Sequence, residues 1–110
     1  MNRHVAILVL LLAAVLEAGG DALIRVALHR HDGLSRGLAF LLGAVVLFAY
    51  GYTVNAPPWD FGRLLGLYVV FFFVIAQIMS WLVFGQTPSR AVLLGGSLIV
   101  SGGFVIAFLQ

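Results

Sequence analysis

The stretch VAILVLLLAAVLEAGGDALIRVAL, residues 5–28, decides how this chain folds. It is apolar without a break from Val5 to Leu16, carries an acid at Glu17, and runs on to the polar segment His29-Arg30-His31-Asp32-Gly33. Crossing a hydrocarbon core of about 30 Å takes about 20 helical residues, so the stretch is long enough to span a bilayer. Met1-Asn2-Arg3-His4 followed by Val5 to Leu16 has the charged-then-greasy layout of a signal peptide. Everything after Glu17 is about as hydrophobic as what precedes it, however, and a retained span is expected.

Working outward, punctuation repeats this unit three times. A second helix is expected from about 34 to 54, stopped by Asn55-Ala56-Pro57-Pro58, because proline lacks the amide proton and restricts the residue before it. A third is expected from 61 to 84, where Gly85-Gln86-Thr87-Pro88 turns the chain. A fourth runs from 89 to 109, with Ser89 as its N-cap. The strong runs show no period-two alternation of the kind a barrel strand needs, and lipid offers the backbone no hydrogen-bond partner. The sequence therefore predicts an all-α integral membrane protein, one four-helix transmembrane domain over residues 1–110.

Composition supports that solvent. Of 110 residues, 63% are hydrophobic and 9% charged, and the mean hydropathy is +1.14, too apolar for a small domain to cover itself in water. The charges are six Arg and four acids, a surplus of two, which is no surface for nucleic acid. There is no Cys. His4, His29 and His31 fall at ends and loops, where solvated side chains are expected, so neither a metal nor a cofactor is expected. No Ser–His–Asp set or strand-borne phosphate loop is visible, and an enzyme is not expected. Arg25, Arg30, Arg36 and Arg90 lie on the side of the first and third loops, against Arg3 and Arg63 on the side of the termini. This bias weakly favours termini outside the cytoplasm and leaves room for insertion both ways.

Glu17 is the most informative residue. It lies about 18 Å of helical rise from Val5, near the bilayer midplane, where an acid costs about 2.5 to 3.5 kcal/mol to insert. Low polarity favours a neutral carboxyl over a charged one, and a group that exchanges a proton at that depth couples proton movement to binding. Asp21 and Arg25 follow at four-residue steps on the same stripe. Asp21 either lines a pocket or pairs with Arg25. On the third helix, Gln77 is expected as interhelical glue or, secondarily, a substrate contact, and Tyr68 as pocket wall or lipid-facing filler. Tyr52, Trp59 and Trp81 lie near helix ends, where aromatic anchoring at the interface is the default. On the fourth helix Gly95 and Gly102, and Gly96 and Gly103, return at heptad spacing and let another helix approach closely, which favours dimerisation.

These residues resemble the small multidrug resistance family of the drug/metabolite transporter superfamily. The resemblance rests on Glu17, Gly20 and Arg25 in the first helix, Ser80-Trp81-Leu82-Val83-Phe84-Gly85-Gln86 closing the third, and Gly95 with Gly102 in the fourth, in that order over nearly the whole chain. It implies an antiparallel, dual-topology homodimer in a bacterial inner membrane. In such a dimer the two copies of Glu17 share one chamber that binds either protons or a small cationic solute, and competition between them produces antiport. The likeness is to a distant member. Tyr68 stands where the family has a pocket tryptophan, Leu65 where it has a tyrosine, Gly43-Ala44-Val45 supplies no aromatic from the second helix, and Asp21 adds an acid. Two other readings stand beside it: a subunit of a lipid-linked sugar flippase of the same superfamily, and a non-transporting membrane subunit whose stripe and glycines serve assembly.

Overall fold

A computed structural model of the chain describes residues 2–29 and 32–109. Arg30 and His31, which entered the charge and histidine readings above, lie outside the described residues, as do Met1 and Gln110. The described residues form four helices, α1 (Arg3–Leu28), α2 (Gly33–Val54), α3 (Phe61–Phe84) and α4 (Arg90–Phe108). All four are long and apolar enough to cross a membrane.

The helix ends have local causes. α1 starts at Arg3, ahead of the expected Val5, because the Asn2 side chain accepts a hydrogen bond from the Val5 amide at 2.9 Å and caps the first turn. Ser89 does the same for α4, accepting from the Val92 amide at 3.2 Å. α3 ends at Gly85, which adopts φ +66°, a left-handed conformation that glycine enters without steric penalty. From there the amides of Gly85 and Gln86 donate to the carbonyls of Trp81 and Ser80, each at 3.1 Å, the first being the bond by which a left-handed cap closes a helix. Beyond α2, the Asn55 side chain donates back to the Gly51 carbonyl at 2.8 Å before the two prolines.

In space the helices follow the order α2, α1, α3, α4, since α1 packs on α2 and α3 while α4 packs on α3. The body measures 50 × 34 × 19 Å. α1 is the central element, and its inward residues are mostly small: Ala6, Ala13, Ala14, Ala18, Gly20 and Ala27 are buried. Without a hydrophobic force between helices in lipid, close backbone approach through small residues is what gains dispersion energy. At the α1–α2 crossing, Leu47 occupies the space over Gly20 and Ile24 the space over Gly43, each 2.7 Å from where a Cβ would stand. The core proper joins Leu10, Ala13 and Ala14 of α1 to Val54, Leu64 and Tyr68. Outward positions such as Leu38, Leu41, Phe48, Leu82 and Leu98 are exposed and apolar, as a lipid-facing surface requires.

Candidate functional site

The site is built on the face of α1 turned toward α3. α1 carries Glu17 half-buried near its middle, and α3 delivers Tyr68, which is 4% exposed. The Tyr68 hydroxyl donates to Glu17 Oε1 at 2.8 Å. Tyr68 is therefore an interior residue, and of its two sequence readings the lipid-facing one is set aside. Its ring continues into a short aromatic row: Tyr50 of α2 lies with its ring centroid 5.8 Å away and Phe72, one turn along α3, at 6.3 Å.

Tyr50 is the residue that sequence reasoning missed. The second helix does supply an aromatic to this site, from a position lower on the helix than Gly43-Ala44-Val45. The signal was present: Tyr50 lies a heptad after Gly43, and the two share a face. Gly43 is the buried residue through which α2 meets α1, so the same rotation that seats Gly43 turns Tyr50 inward.

Asp21 lies one turn beyond Glu17 and is exposed. It makes no ion pair with Arg25 among the described residues; the Arg25 guanidinium instead lies over the Phe84 ring, 5.4 Å from its centroid. Asp21 and Arg25 both line a cavity of about 280 Å³ between α1 and the end of α3, together with Phe72, Ser80, Phe84 and Gln86. Ser80 Oγ bonds Gln86 Oε1 at 3.2 Å at its rim. Phe72 is thus shared: one side contributes to the cavity wall, the other stacks on Tyr68. The arrangement places a carboxyl with a phenol donor in mid-helix, one turn from a cavity lined by one acid, one guanidinium and two neutral polar groups.

Gln77 does not join this group. It follows Tyr68 by nine residues, half a turn round the helix, and continues the row of Val70 and Phe73, which pack on α4. The four glycines of α4 also divide. A Cβ on Gly96 would run into the Phe73 ring and one on Gly103 into Val70, so these two seat α4 on α3 within one chain. Gly95 and Gly102 have open space above them. Of the four glycines whose heptad spacing favoured a dimer face, two are thus taken up within the chain and two stay open. No group of His, Cys, Asp and Glu fit to hold a metal occurs among the described residues.

Four membrane-crossing helices around a polar site at mid-depth define a small multi-pass membrane protein. The chain belongs to the UPF0060 family of membrane proteins. It is 33% identical over 105 residues to a UPF0060 membrane protein of Clostridium beijerinckii, covering 94% of this chain and 92% of the relative. It is 32% identical over 110 residues to one of Clostridium perfringens, covering 98% and 96%. With UPF0060 membrane protein YfjF of Bacillus subtilis the identity is 33% over 106 residues, 94% of each chain. No protein-family model matches the chain, and no solved structure does. A bacterial multi-pass membrane location follows from the relatives and the four spans together.

Proposed function

We propose that the protein is a proton-coupled antiporter that exports a small organic cation, in the manner of the small multidrug resistance proteins it resembles, with Glu17 as the shared site for proton and substrate. The observation that carries this reading is the Glu17–Tyr68 hydrogen bond of 2.8 Å in mid-helix. Magnitudes decide between transport and assembly. Placing an acid at the centre of a span costs about 2.5 to 3.5 kcal/mol, while an interhelical hydrogen bond in a bilayer returns about 0.6 to 2 kcal/mol. A residue serving only to hold helices together would leave that difference as net instability, and a neutral Gln or Ser would serve better.

The working unit in this reading is an antiparallel homodimer. Gly95 and Gly102, open on α4, are the surface a second copy would use, and two copies of Glu17 would share a chamber. A proton arriving at Glu17 releases the cation, and the cation arriving releases the proton. Tyr68 orients the carboxyl, while the rings of Tyr50 and Phe72 offer the cation an aromatic wall.

The test is proton release. Detergent-solubilised protein in weakly buffered solution is titrated with a panel of small organic cations; wild type releases protons on addition of a substrate, and Glu17→Gln releases none. The reading fails if no cation releases protons from wild type, or if the variant releases them equally.

A further inference from the structure

A second cavity lies away from Glu17. Because α4 packs chiefly on α3, a furrow of about 570 Å³ is left between α1 and α4 with α3 as its floor. It is chemically divided. Arg3, the first residue of α1, and Arg63, in the first turn of α3, stand at the end nearest the chain termini, beside Trp59. Leu67, Val70, Val100 and Phe104 continue it toward mid-membrane. From Arg63 to Val70 is seven residues, about 10 Å of helical rise, the depth of an acyl chain's upper half.

The cationic end is unsatisfied. Arg63 lies over the Trp59 ring at 5.6 Å, but its buried Nε has no hydrogen-bond partner. Among the described residues neither Arg3 nor Arg63 forms an ion pair, Asp60 included. A guanidinium held at the interface without an acid is a donor set waiting for an anion, and basic recesses between membrane helices take anionic headgroups.

We propose that this furrow seats one anionic phospholipid, its phosphodiester on Arg3 and Arg63 and an acyl chain along the apolar floor. Charge complementarity selects the headgroup, and the apolar length selects a lipid over a free anion. Trp59, at the interface, suits the glycerol level. The proposal does not depend on transport by Glu17.

Native mass spectrometry of the full-length protein tests it, using micelles doped equally with dioleoyl phosphatidylglycerol and dioleoyl phosphatidylcholine. At low salt each arginine contributes roughly fivefold, so wild type retains the anionic lipid about 25-fold over the zwitterionic one. Arg3→Gln with Arg63→Gln brings the ratio close to unity, whereas Arg36→Gln, on the opposite membrane side, leaves it unchanged. Arg63→Lys keeps most of the preference, which separates charge from misfolding. Val100→Trp fills the furrow and lowers retention with both arginines intact. Equal retention of the two lipids by wild type overturns the proposal, as does a preference that survives the double variant. So does displacement of the lipid by inorganic phosphate at equal concentration, which would mark a headgroup site with no place for the chain.

Discussion

The two halves of this molecule are built by different means. Between α1, α2 and α3, directional contacts are added to close packing: a phenol on a carboxyl and three aromatic rings in a row, beside Leu47 over Gly20 and Ile24 over Gly43. Between α3 and α4 they are volumetric: Phe73 and Val70 of α3 enter the gaps over Gly96 and Gly103, and Ile106 enters the one over Gly66. Even the hydroxyls of α4 turn inward on their own helix, Ser97 donating to the Leu93 carbonyl at 2.9 Å and Ser101 to the Ser97 carbonyl at 2.7 Å. One half is organised around chemistry and the other around shape, and substitutions that alter only one property separate them.

The largest effect is expected in the shape-built half. Gly103→Val forces a branched side chain onto Val70, itself branched and stiff at χ1, and overpacking of this kind costs about 1 to 3 kcal/mol. Gly102→Val, one residue earlier on an open face, leaves the monomer's stability unchanged. Unfolding by sodium dodecyl sulfate, followed by circular dichroism, compares the two. In the homodimer reading Gly102→Val weakens self-association instead, seen as loss of intersubunit cross-linking. Equal destabilisation by both variants would mean that α4 does not meet α3 through Gly96 and Gly103.

A smaller effect, about 1 kcal/mol, is expected in the chemical half. Tyr68→Phe keeps the ring in the core but removes the donor to Glu17, and interhelical hydrogen bonds of this kind are worth about 0.6 to 1.7 kcal/mol. A double-mutant cycle with Glu17→Ala, which removes the acceptor, isolates that coupling. A cycle that closes at zero would show the 2.8 Å bond to carry no energy, leaving the two halves alike.

Smaller again is the aromatic row. Tyr50→Leu removes one ring contact, worth about 0.5 to 1.5 kcal/mol beyond area burial, while Tyr52→Leu, at a position 78% exposed, removes none. The pair tests the one site residue the sequence did not reveal, by thermal unfolding in detergent and by binding of any cation that releases protons. Equal responses would place Tyr50 outside the site.

What was legible in the sequence follows the same division. The spans, the Ser89 cap and the turn at Gly85 were readable because hydrophobic length, capping and left-handed backbone are properties of neighbouring residues. Glu17 was readable because an acid at that depth is costly wherever it points. Rotation of one helix against another was not readable. Adjacent glycines lie 100° apart on a helix, so the spacing that paired Gly95 with Gly102 and Gly96 with Gly103 could not say which pair meets α3. Tyr50 was hidden for the same reason, its direction being set by Gly43 at the α1 crossing. Arg25 was placed beside Asp21 by its spacing, yet the Phe84 ring that holds it comes from another helix.

Asp21→Asn carries the smallest expected change in stability, and its smallness is informative. Were Asp21 paired with Arg25, removing its charge would strand a guanidinium at the membrane interface and lower stability. With Arg25 resting on Phe84 instead, the substitution leaves stability within about 0.5 kcal/mol of wild type. The change falls on the cavity mouth, which loses its one acid and keeps its guanidinium. A cation approaching Glu17 from that side then meets a more positive entrance, so in the antiporter reading its affinity falls, and Arg25→Gln raises it. Comparing the two variants by detergent unfolding and by cation-driven proton release distinguishes the cases. A stability loss above about 1 kcal/mol for Asp21→Asn would show that this acid and Arg25 hold each other after all, and the mouth would belong to the structural half of the molecule.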